Sequence, residues 1–182
     1  ACEHAPITPD FLCLSKGLSG GYLPLSAVLT RAAIYEAFYD DYRKLNAFLH
    51  SHSYCGNPLA CRAALATLEL FRSTGALVTV QRLARTLAQQ LRRFDDHPNV
   101  SDVRQCGLIG AVEFVRDRAT RTPFDWRERR NLRIYRHAIE RGVLLRPLGN
   151  VIYFMPPYIV NDQDIEQMCA VAASGLETAV CD

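Results

Sequence analysis

The stretch Pro9-Asp10-Phe11-Leu12-Cys13-Leu14-Ser15-Lys16-Gly17-Leu18-Ser19-Gly20-Gly21 decides how the rest of the chain is read. Phe11 to Leu14 is a short apolar run bounded by a proline, the pattern of a buried strand, and it delivers Lys16 into a turn with three glycines in five positions. A lysine at a strand end, with apolar walls and glycines that let a ligand approach the backbone, is suited to act as a nucleophile. Taken alone, a Lys-Gly pair reads as a solvated surface turn, and only its wider context reverses that reading. A phosphate loop of the G-x-x-x-x-G-K-[ST] kind is excluded, because there the glycines precede the lysine and here they follow it.

With 182 residues, 49% hydrophobic and 22% charged, the chain has enough apolar material for one large or two small domains. A net charge of +2, with arginines spread along helical segments, argues against a nucleic-acid partner. No run reaches the length of a membrane span and the first residues do not resemble a signal peptide, which points to a cytoplasmic protein with no membrane partner. Seven cysteines without a C-x-x-C pair speak against zinc and against a disulfide framework. His50 and His52 flank Ser51, but no further ligand pattern accompanies them, so no metal site is expected. The chain starts at Ala1 without methionine and runs almost at once into a strand, as expected of a piece of a longer polypeptide.

Leu25 to Thr30 is a second apolar run with the pattern of a buried strand, followed by a short helix over 32–39. Asn57-Pro58 is a helix start, and the helix through Leu59, Ala63, Ala66, Leu70 and Phe71 is rich in small residues, as expected for close packing on a sheet. Leu83, Leu87, Leu91 and Phe94 fall at helical spacing, and a domain boundary is placed between residues 78 and 79. Val100 to Val115 reads as two strands or one bulged strand around Gly107 and Gly110. A helix with Leu132, Tyr135 and Ile139 inward ends at Gly142. The runs 143–147 and 151–155 are expected to form a hairpin through Leu148-Gly149-Asn150. Asn161 or Asp162 caps a last helix, with Ile165, Met168, Cys169, Ala172 and Leu176 inward. The second half is thus a small α+β unit on an antiparallel sheet.

Three segments carry a likeness when read together: A-C-E-H-A-x-x-x-P-D-x-L-C-L-x-K-x-L-x-G-G, then H-S-H-S-Y-C-G-N-P-L-A-C, then L-L-R-P-L-G-N-V-I-Y-F-M-P-P-Y. In this order the chain resembles the class III pyridoxal-phosphate aminotransferases, and among them the branch that aminates 8-amino-7-oxononanoate in biotin synthesis. The likeness extends over essentially the whole chain. It implies the C-terminal portion of a fold-type-I transferase of the α/β class. Residues 1–78 would end the large pyridoxal 5'-phosphate domain, and 79–182 would be a linking helix and the small α+β domain.

The resemblance makes Lys16 the catalytic lysine that holds the cofactor aldehyde and carries the proton. It places Ser53 and the backbone of His52 on the cofactor phosphate, Ser51 at the substrate, and Arg146 on the acceptor's carboxylate. A hydroxyl and amides ahead of a helix suit a dianionic phosphate, and a guanidinium fork suits a carboxylate. In this family the loop serves the neighbouring subunit, which implies a homodimer with shared sites. Ser51-His52-Ser53 stands where enzymes using adenosylmethionine commonly show Gly-Pro-Thr, so the amino donor is adenosylmethionine or lysine. The family's aspartate on the pyridine nitrogen belongs to a segment preceding Ala1, so this chain alone is expected to be inactive or nearly so. The competing readings are another class III ω-aminotransferase, of the ornithine or 4-aminobutyrate type, and a remnant of the fold without catalysis.

Overall fold

The computed structural model describes residues 2–181; Ala1 and Asp182 lie outside the described residues. Contacts divide the chain into two compact units between Gly75 and Ala76.

In the first unit, β1 (Phe11–Leu14) and β2 (Ala27–Thr30) pair antiparallel, with Leu14 opposite Ala27 and Phe11 opposite Thr30. The Thr30 hydroxyl donates to the Asp10 carbonyl at 3.0 Å and closes the open end of the ribbon. Both strands were expected to be buried. Instead β1 is exposed throughout, and in β2 only Ala27 is partly covered. An apolar run is fit for burial, but among the described residues this ribbon has two strands and no third paired beside them. α1 (Ala32–Glu36) stops short of Tyr39. α2 (Pro58–Ser73) begins as the sequence indicates: the Asn57 side chain accepts from the Leu59 N–H at 3.0 Å, and Pro58 occupies the first turn. Its buried positions are Ala60 and Ala64, whereas Leu59 and Leu70 face outward. The small residues therefore serve close packing on the lysine-bearing turn, not on a sheet. Gly20, at φ +63°, shows how close that packing is, since a Cβ there would lie 3.1 Å from Thr67 Oγ1.

The second unit has a closed core. α3 (Ala76–Leu91) buries Leu83, Leu87 and Leu91, and the turn Arg92–Phe94 adds Phe94. β3 (Val100–Cys106) and β4 (Ile109–Phe114) form a hairpin turning at Gly107, φ +57°, so the two-strand alternative is the one adopted. α4 (Arg130–Ile139) follows, and β5 (Val151–Phe154) completes an antiparallel sheet in the order β3-β4-β5. Alternate residues of β4 and β5, among them Val112, Phe114, Ile152 and Phe154, point into the core. α5 (Asp162–Val180) buries Ile165, Cys169, Ala172 and Leu176 in the same core, as its spacing predicts. Burial pushes the Cys169 thiol up to about 12, which keeps it protonated and inert.

Two expectations are corrected here. Residues 143–147 form no strand; the expected hairpin is reduced to β5 and a single Leu148–Val151 bridge. Pro147 has no N–H to give to a ladder, and β5 finds its partner in β4 instead. In α4 the inward residues are Arg130, Ile134 and Ala138, while Tyr135 and Ile139 are exposed.

The start of α5 is fastened twice. Asn161 and Asp164 form a reciprocal capping box, with Asp164 N–H donating to Asn161 Oδ1 at 3.0 Å and Asn161 N–H to Asp164 Oδ2 at 2.8 Å. Asp162 accepts from the Thr86 hydroxyl at 2.6 Å and from Arg82 at 2.5 Å, and these bonds hold its carboxyl below the usual range. Asn161→Ala is expected to lower stability by about 1 kcal/mol, read as a reduced urea midpoint with an unchanged slope. An unchanged midpoint would show that the cap contributes nothing. Among the described residues no single helix is long and apolar enough to cross a membrane.

Candidate functional site

Lys16 leaves the end of β1 and opens a single 3-10 turn, Lys16–Ser19. Its backbone is left-handed, φ +52°, a conformation that costs a non-glycine residue about 1 kcal/mol or more and needs outside support. That support comes from two serines. The Ser15 hydroxyl donates to the Leu25 carbonyl at 3.3 Å, and the buried Ser19 hydroxyl donates to the Leu23 carbonyl at 2.5 Å. Both tie the turn to the strand that returns through β2. Sequence reasoning missed these serines; their places one before and three after the lysine are the only signal, and their acceptors cannot be read locally. The Lys16 amine is exposed and, among the described residues, makes no hydrogen bond or ion pair. Gly17 and Gly21 have open space where a Cβ would stand, so the turn presents bare backbone around that amine.

The loop 50–56 is exposed along its whole length and runs into the capped start of α2. Residues 52–55 form a tight turn in which the Cys55 N–H donates to the His52 carbonyl at 3.0 Å. Ser53, at the second position of that turn, carries no hydrogen bond among the described residues, and neither does Ser51. The hydroxyl and N–H of Ser53 are therefore open to an acceptor. Lys16, Ser51, His52 and Ser53 all belong to the first unit.

Arg146 belongs to the second unit. It is exposed between two buried residues, Leu145 and Pro147, which pin the backbone on either side of it. Its guanidinium has no partner among the described residues, and it borders a cavity of ≈ 470 Å³ lined also by Tyr153, Met155, Asp164 and Gln167. Fixed anchors, an open fork and an adjoining cavity suit an anionic group on an otherwise apolar molecule.

The family model for class III aminotransferases matches residues 1–174. The chain belongs to the class III aminotransferases. It is 44% identical over 180 residues to adenosylmethionine-8-amino-7-oxononanoate aminotransferase of Geobacter sulfurreducens, covering 99% of this chain and 39% of that protein. To the protein of the same name from Anoxybacillus flavithermus it is 46% identical over 171 residues, 94% of this chain and 38% of the relative. Among solved structures it superposes on that aminotransferase of Methanocaldococcus jannaschii with a TM-score of 0.89 at 36% identity, covering 93% of this chain and 39% of the other. An omega transaminase of Pseudomonas jessenii in complex with PMP gives 0.90 at 32% identity, covering 98% and 39%. This class III chain thus spans about two fifths of the length of the relatives it matches. Its α/β architecture is that of the pyridoxal-phosphate-dependent class III aminotransferases. The residues present fit that cofactor: an open primary amine suits an aldehyde, and a free hydroxyl and amide ahead of a helix suit a phosphate.

Proposed function

We propose that the protein transfers an amino group onto 8-amino-7-oxononanoate to give 7,8-diaminononanoate for biotin synthesis. The observation that carries this reading is the Lys16 amine, without a partner among the described residues and set in a braced turn, in a chain 44% identical to an aminotransferase named for that substrate. The cofactor, when bound, supplies the aldehyde that takes up the amino group and a ring that draws electrons from the reacting carbon. Lys16 Nζ anchors it and, once freed, takes the proton from the amino donor's reacting carbon and, in the second half of the reaction, delivers one to the carbon that was the acceptor's ketone. Ser53, through its hydroxyl and N–H, and the His52 backbone hold the phosphate, and Ser51 lines the substrate site. Arg146 grips the acceptor's carboxylate and so orients the distant ketone.

On this reading residues 1–78 are the end of the large cofactor domain and 79–182 the linking helix and small domain. The working form is a cytoplasmic homodimer in which the 50–58 loop completes the neighbour's site. The exposure of its residues 50–56 and the hydrogen-bonding groups that Ser51 and Ser53 leave unused among the described residues support that arrangement. The amino donor is adenosylmethionine, which stands in the relatives' names. The Ser51-His52-Ser53 sequence favours a second reading, in which lysine is the donor.

The test is amino transfer by the full-length protein with 8-amino-7-oxononanoate and each donor in turn. Formation of 7,8-diaminononanoate with either one is expected. Transfer from ornithine or 4-aminobutyrate with no turnover of the oxononanoate would overturn the assignment.

A further inference from the structure

The bond pattern of the 50–58 loop singles out the His52 ring. The Tyr54 N–H donates to His52 Nδ1 at 3.1 Å. A backbone N–H can only donate, so Nδ1 is the acceptor in this bond. The ring thereby closes a loop from residue 52 to residue 54 around Ser53, as an Asn or Asp side chain does in an Asx turn. Two further bonds tighten the same four residues. The His52 N–H donates to Cys55 Sγ at 3.4 Å, and the Cys55 N–H donates to the His52 carbonyl at 3.0 Å. All three bonds bypass Ser53, whose own N–H and hydroxyl they leave free.

From this the geometry points to the His52 side chain as a positioning residue: its Nδ1 locks the turn that aims the Ser53 hydroxyl and amide at the cofactor phosphate. This rests on the phosphate role proposed above for Ser53 and extends it, since that role uses only the backbone of His52. The ring does not touch the phosphate. It removes the freedom of the two peptide units that flank Ser53, so ordering cost is met before the anion arrives.

The inference is tested by measuring pyridoxal 5'-phosphate affinity and the phosphorus NMR shift of the bound phosphate in the full-length protein and three variants. His52→Ala is expected to weaken binding about fivefold, the effect of one neutral hydrogen bond, and to move the phosphorus signal. His52→Asn is expected to restore affinity to within about twofold, because Asn Oδ1 takes the place of Nδ1 and accepts the same Tyr54 N–H. Wild-type affinity in His52→Ala, or an equal loss in His52→Asn, overturns the inference. Ser53→Ala separates the two levels of the argument. A loss there with none in His52→Ala removes only the role of the ring, whereas full affinity in Ser53→Ala removes the phosphate assignment and the ring's role with it.

Discussion

Lys16→Ala is expected to leave the full-length protein without measurable amino transfer and without the yellow colour of bound cofactor. The proton transfer alone accounts for a loss of roughly 10²–10⁴-fold, and the variant also loses its covalent hold on the cofactor. The surrounding structure should persist, because the amine makes no hydrogen bond or ion pair among the described residues and the turn is held by Ser15 and Ser19. Lys16→Arg keeps the positive charge and should be as inactive as the alanine variant, since a guanidinium remains protonated and cannot attack an aldehyde. Borohydride followed by peptide mass measurement gives a second readout: the reduced cofactor should be found on Lys16 in the parent and nowhere in either variant. Amino transfer at the parental rate by Lys16→Ala would end the proposal.

Arg146→Ala should reduce kcat/KM for the carboxylate acceptor by roughly ten- to a hundredfold, the range for hydrogen bonds to a charged group. The loss should fall mainly on KM, because the carboxylate lies far from the reacting ketone and is held alike in the ground and transition states. Arg146→Lys should fall between the two, keeping the charge and losing the planar fork. An acceptor whose carboxylate is esterified discriminates best: it should be as poor for the parent as the free acid is for the alanine variant, and no worse for the variant. Equal KM values for the free acid in parent and variant would show that Arg146 does not meet the substrate. Thermal stability should hardly change, because the side chain is exposed and has no partner among the described residues.

How far the sequence reaches is clearest where one periodic signal meets one surrounding. α3 and α5 were legible because Leu83, Leu87 and Leu91, and Ile165, Cys169, Ala172 and Leu176, repeat on one face and find a single core. α4 was misread because its apolar spacing offered Tyr135 and Ile139, while the packed face includes Arg130. That arginine lies over the Phe124 ring at 4.2 Å and donates to the Ala179 carbonyl at 2.7 Å, partners that no local pattern shows. β1 was legible as a strand but not in its burial, since what covers a strand is decided by other parts of a fold. For the candidate site, it was the resemblance to the class III aminotransferases, and not residue type alone, that pointed to Lys16, Ser51, His52, Ser53 and Arg146. The devices that set them in place were hidden, because the Ser15 and Ser19 hydroxyls reach carbonyls ten and four residues on, and the His52 ring works across one residue.

Arg146 stands outside the sheet's ladder, on a short span fastened at Leu145 and Pro147. Exchange of that one side chain leaves every rung of the sheet intact, so under the role proposed for Arg146 the choice of acceptor and the cost of folding are set by different atoms. Under that same proposed role, a lineage with this arrangement could drift toward new substrates through single substitutions at position 146 without first accumulating compensating changes elsewhere.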